Sequence, residues 1–147
     1  MKERPIMLVE DNQDDVELTM MAFRRAHISN PVVVAKDGVE ALDYLFGRGA
    51  EAALAGEQPV VVLLDLNLPK VNGLEVLERI RADERTKRIP VVILTTSNEH
   101  GDMIKAGNLH ANSYVRKPVD FDTFVEAARQ LGLYWAVLNE PMPNSGV

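Results

Sequence analysis

Cysteine is absent from the 147 residues, which excludes a disulfide scaffold, a thiolate zinc site and thiol catalysis together. Histidine is scarce, at three. No apolar run approaches the ~20 residues a membrane helix needs. Met1 to Pro5 lead straight into a four-residue apolar stretch, so a cytoplasmic location is expected. A basic patch is missing too: 16 Lys plus Arg stand against 22 Asp plus Glu, a formal charge of -6, which makes direct nucleic-acid binding unexpected. For most surface carboxylates solubility alone accounts for the acid excess. What remains is chain enough for one compact domain with its own core, expected over 1–147, with the core at about 5–139 and a tail at 140–147.

Apolar runs recur at Ile6 to Val9, Val32 to Ala35, Val60 to Leu64, Val91 to Leu94 and Ser113 to Val115, mostly rich in β-branched residues. Their nearly continuous apolar character suits a parallel sheet covered on both faces, where neither side meets water. Helical patterns lie between them. Asn12 is placed to cap a first helix with Val16, Met20 and Phe23 on one stripe, and Asp37 a second with Ala41 and Leu45 inward. A third is expected from about Gly73 to Asp83 with Val76, Leu77 and Ile80 inward, ending before Ile89-Pro90, and a weaker fourth over Glu99 to Asn108. Phe124, Ala128, Leu131, Trp135 and Leu138 form the clearest stripe. The Ala- and Glu-rich stretch Gly47 to Pro59 either continues the second helix or makes a surface excursion. The expected fold is α/β: a doubly wound, five-stranded parallel sheet with right-handed crossovers and helices on both faces.

Ligands of such sheets collect beyond the carboxyl ends of the strands. There the sequence delivers Glu10-Asp11, Asp65, Thr95-Thr96 and Lys117-Pro118, each as its apolar run stops. A helix cap would explain any one of them. Three carboxylates converging on one edge are costly unless a cation offsets their repulsion. Mg²⁺ fits, because it takes oxygen ligands and retains waters. Asp11 and Asp65 are the expected direct ligands, with the Asn67 backbone carbonyl as the third. Glu10 acts directly, through water, or only stands beside the site. Lys117 can pair with an ionised Asp65 or hold the oxygens of a phosphorylated one, and Thr95 offers a short hydroxyl donor. Such groups suit in-line phosphoryl transfer, where positioning and charge neutralisation dominate.

The stretches Ile6-Met7-Leu8-Val9-Glu10-Asp11-Asn12, Leu64-Asp65-Leu66-Asn67-Leu68-Pro69, Gly73, Leu94-Thr95-Thr96-Ser97 and Ser113-Tyr114-Val115-Arg116-Lys117-Pro118 resemble, in order and spacing, the CheY-like receiver domains of two-component response regulators. Arg129 to Trp135 followed by Leu138-Asn139-Glu140-Pro141 resembles the single-domain regulators associated with phytochrome-type histidine kinases. The resemblance implies the flavodoxin-like strand order 2-1-3-4-5 and a single receiver domain. It makes Glu10 and Asp11 the acidic pair, Asp65 the phospho-acceptor, Thr95 the switch hydroxyl, Lys117 the family lysine and Tyr114 the aromatic switch. It further implies Mg²⁺, with Mn²⁺ as a substitute, a histidine kinase partner, slow autodephosphorylation, and a homodimer in some members through the face of helix four, strand five and helix five. Leu133, Tyr134 and Val137, off the inward stripe, are available for that face.

One stretch departs from the subgroup: Gly107-Asn108-Leu109-His110-Ala111-Asn112 precedes strand five. A left-handed backbone at His110 would cost about 1 kcal/mol against glycine. Among rivals, a flavodoxin-like carrier needs a phosphate cradle after strand one, where Glu10 to Asp15 would repel an anion. A haloacid-dehalogenase-type phosphatase would place Asp-x-Asp after its first strand and carry a cap. Two readings stay open beside the signalling receiver: a binding module that is never phosphorylated, and a relay that passes the phosphoryl group onward.

Overall fold

The computed structural model describes residues 4–47, 58–66, 68, 71–95, 113–116, 122, 125, 126 and 129. They form β1 (Ile6–Val9), α1 (Gln13–Arg25), β2 (Val32–Ala35), α2 (Gly38–Phe46), β3 (Val61–Asp65), α3 (Gly73–Ala82), β4 (Val91–Thr95) and β5 (Ser113–Arg116). All neighbouring strands are parallel, in the expected order β2-β1-β3-β4-β5.

Alternation along the strands sorts the core into two layers. Ile6, Leu8, Val61, Leu63, Val92 and Leu94 pack with Val16 and Phe23 of α1. Met7, Val9, Val62, Leu64, Val91 and Ile93 pack on the opposite face with Ala41 and Leu45 of α2 and Val76, Leu77 and Ile80 of α3. Register keeps the layers aligned, with Leu8 opposite Leu63 and Leu63 opposite Val92. A proline stands immediately before β1, β2 and β4, at Pro5, Pro31 and Pro90, and Pro59 lies two residues before β3. Lacking an N–H costs nothing at a strand start, while the carbonyls still accept: Pro31 from Ile6 and Pro5 from Val60, both at 2.8 Å, and Pro90 from Val62 at 2.9 Å.

Helix starts follow local polar chemistry. Asn12 accepts the Asp15 amide at 3.1 Å and Asp37 the Glu40 amide at 2.8 Å, as expected, and Asn72 does the same for Glu75 at 3.0 Å. Gly47 ends α2 with φ 76°, in the left-handed region where glycine carries no Cβ penalty. After α3 the chain turns back to β4 through Asp83 to Ile89. The Thr86 hydroxyl, fully buried, donates to the Ile80 carbonyl at 2.7 Å. Arg81 donates to the Lys87 and Ile89 carbonyls at 3.1 and 2.7 Å, and burial pushes its guanidinium pKa down.

The expected fourth helix, His110, the stretch 48–57 and the tail lie outside the described residues, as do Leu133, Tyr134 and Val137. Of the last helix, Asp122, Val125, Glu126 and Arg129 are helical. Val125 is buried beside Ala22 and Leu18 of α1, a position the Phe124 stripe did not single out. Among the described residues no helix is long and apolar enough to cross a membrane.

Candidate functional site

Each carboxylate of the site stands where a strand stops. The Glu10 amide donates to the Ala35 carbonyl at 2.9 Å, extending the ladder one residue past β1 and fixing the backbone that carries its side chain. Glu10 is 1% exposed, and its Oε2 accepts the Asn12 amide at 3.3 Å. Asp11 follows in the open, directly before the Asn12 cap of α1. Asp65 closes β3 opposite Leu94 and is 5% exposed.

Ligand oxygens of Glu10, Asp11 and Asp65 lie within 4.8 Å of one another. Three charged carboxylates so close repel one another, and a cation between them offsets that repulsion. The donor set is all oxygen, as a hard divalent ion requires, and Asp11 leaves the cluster open to solvent on one side. The residues fit a divalent cation on these grounds.

Of the other residues read from the sequence, Thr95 ends β4, one position past Leu94, the register partner of Asp65. Its backbone therefore reaches the same sheet edge. Tyr114 lies in β5 opposite Ile93. Lys117 and Asn67 fall outside the described residues, Lys117 being the next residue after β5. One contact was not legible in residue type. Asn12 reads as a helix cap, yet its backbone amide also reaches Glu10, and any residue at that position would supply such an amide.

Residues 6–129 match the response regulator receiver domain family. Three solved structures share the fold closely. The phosphorylated cyanobacterial phytochrome response regulator RcpA superposes with a TM-score of 0.82 at 37% identity, covering 92% of this chain and 96% of its own. The bacteriophytochrome response regulator RtBRR gives 0.79 at 51% identity, covering 98% and 87%. The Mn²⁺-bound form of response regulator Rcp1 gives 0.80 at 34% identity, covering 90% and 94%. A family match over most of the chain, on a sheet of the order its motifs imply, with three carboxylates gathered at the expected edge, places this chain in the response regulator receiver domain family.

Proposed function

We propose that this chain is a single-domain response regulator, residues 1–147, that accepts a phosphoryl group from a histidine kinase onto Asp65 and signals through a changed protein-binding surface. The observation that carries this reading is Asp65 itself: a buried carboxylate at a strand end with Glu10 and Asp11 beside it. In the transfer, a carboxylate oxygen of Asp65 forms a bond to phosphorus as the bond from phosphorus to the kinase's imidazole nitrogen breaks. The electron pair returns to that nitrogen. Asp11, Asp65 and the Asn67 carbonyl would hold Mg²⁺, or Mn²⁺ in its place, with Glu10 bound directly or through water. When bound, that ion supplies positive charge to the carboxylates and to the phosphoryl oxygens. Lys117 holds the added oxygens through charge-assisted hydrogen bonds. Thr95 donates to the phosphoryl group, and Tyr114 turns inward as Thr95 moves.

The likeness to RcpA and RtBRR supports a phytochrome-type kinase as the partner. The location we propose is the cytoplasm. The phosphorylated face of helix four, β5 and helix five serves that partner or a second copy of the chain, with Leu133, Tyr134 and Val137 available to it. An acidic chain of net charge -6 gives no support for nucleic-acid binding.

The test is transfer from an autophosphorylated phytochrome-type histidine kinase, followed by gel separation of the phosphorylated species and by light scattering. Loss of label from the kinase with its gain on this chain, accompanied by a change in mass or kinase affinity, is expected. A chain that binds the kinase without gaining label is a binding module. One that then labels a histidine phosphotransfer protein is a relay.

A further inference from the structure

The connection from β3 to α3, which leaves directly from Asp65, is pressed against backbone at two glycines. A Cβ on Gly73 would stand 2.6 Å from the Leu66 Cα and 3.1 Å from the Asp65 carbonyl carbon. One on Gly38 would stand 2.7 Å from the Val71 Cβ and 2.9 Å from the Val71 carbonyl carbon. Most of these are main-chain atoms, which cannot swing aside as the tip of a side chain can.

Neither glycine is required by backbone conformation. Among the described glycines only Gly47 has a positive φ, and a Cβ there would meet nothing within 4 Å. Space is what Gly38 and Gly73 provide. Both stand at helix starts that are themselves fixed, Gly38 behind the Asp37 cap and Gly73 behind the Asn72 cap. The Gly73 amide also donates to the Leu66 carbonyl at 3.1 Å. An added methyl at either position therefore moves the connection more readily than the helix.

We propose that Gly38 and Gly73 are positioning residues that set the divalent-cation affinity of the Glu10, Asp11 and Asp65 cluster. The inference rests on the reading of that cluster as a cation site. Gly73 acts on the Asp65 backbone directly, and Gly38 acts through Val71 at the far end of the same connection. Small displacements count here because a cation such as Mg²⁺ demands near-octahedral placement of its oxygens.

The experiment titrates Mg²⁺ calorimetrically into wild type, Gly38→Ala, Gly73→Ala and Gly47→Ala, each at matched folded fraction. By analogy with supports behind metal ligands, Gly73→Ala is expected to weaken affinity by about tenfold or more, with Gly38→Ala weaker than wild type by a smaller factor. Gly47→Ala is the control: its left-handed φ makes alanine destabilising, yet it touches nothing near the cluster, so its affinity is expected to match wild type. With a small phosphodonor, the half-saturating Mg²⁺ concentration rises in the first two variants. In metal-free Gly38→Ala, exchange of the Gly73 amide is expected to quicken. If Gly73→Ala does not fold, Gly38→Ala and Val71→Gly are measured in its place, since Val71 is only partly buried and glycine there loosens the same contact. Wild-type affinity in the variants at Gly38, Gly73 and Val71, or an equal loss in Gly47→Ala, overturns the proposal. A wild type that binds no cation at the cluster overturns the cation site together with the inference, and so separates the two failures.

Discussion

At the carboxyl edge of the sheet Glu10, Asp11 and Asp65 bring carboxylate oxygens within 4.8 Å of one another, whereas the turn leading into β4 at the amino edge pairs opposite charges, Asp83 with Arg85 at 3.0 Å and Glu84 with Lys87 at 2.7 Å. The same turn buries Thr86 with its hydroxyl satisfied and spreads the Arg81 guanidinium over two carbonyls. Both edges cap the same apolar sheet, so the contrast is not one of core packing. Among the described residues, unlike charges meet at the amino edge and like charges gather at the carboxyl edge. A gathering of like charges is what a functional site imposes on a fold, offset by consistency elsewhere.

If this contrast is right, substitutions at the two edges should act on different quantities. The largest effect on stability is expected from Thr86→Val, which keeps the volume but leaves the buried Ile80 carbonyl without its hydroxyl donor. It should cost about 1–3 kcal/mol in denaturant unfolding, with Mg²⁺ affinity unchanged. A smaller change of opposite sign is expected from Asp11→Asn. Removing one of the clustered charges should raise metal-free stability by up to about 1 kcal/mol while weakening Mg²⁺ binding. A loss of metal-free stability in that variant would mean that the cluster is not repulsive, and the contrast between the edges would fall.

Smallest is the effect of acid on the exposed pair at the amino edge. Hydrogen bonds from Arg85 hold the Asp83 carboxyl below its ordinary pKa, and Asp83 in turn raises that of Arg85. A depressed carboxyl pKa contributes stability above the unfolded value and loses it as pH falls through the folded value. Asp83→Asn should therefore lower stability slightly at neutral pH and converge with wild type once acid has protonated Asp83, below about pH 4, which flattens the acid limb of the profile. Differential stability across a pH series reads this, and a difference that persists undiminished in acid would contradict it.

Much of this was legible in the sequence because the strands are buried on both faces, so their apolar runs stand out without any partner being known. The runs were blind to where hydrogen bonding continues: β3 includes Asp65 and β5 includes Arg116, polar residues that pair although they do not read as apolar. Asn12 and Asp37 were identified as caps because each precedes an apolar periodicity. Tyr44, at 2% exposure, and Thr86 were not identified as buried. Tyr44 joins the layer beneath α2, and Thr86 is held by a carbonyl six residues away, facts of packing that spacing does not carry.

At the site, residue type and strand ends are enough to bring Glu10, Asp11 and Asp65 to one edge, where the fold gathers them. The need for glycine at position 38 was hidden, because only the approach of Val71 across the fold creates it.

The proposed chemistry of the site turns on Asp65 as the acceptor, and mapping the phosphoryl group is the sharpest test of it. Wild type and Asp65→Asn are incubated with Mg²⁺ and a small phosphodonor, then digested and read by mass spectrometry. One modified peptide is expected, carrying the added mass at Asp65, with no incorporation in Asp65→Asn. Incorporation in Asp65→Asn at the wild-type rate, or modification of wild type at another residue, would contradict it.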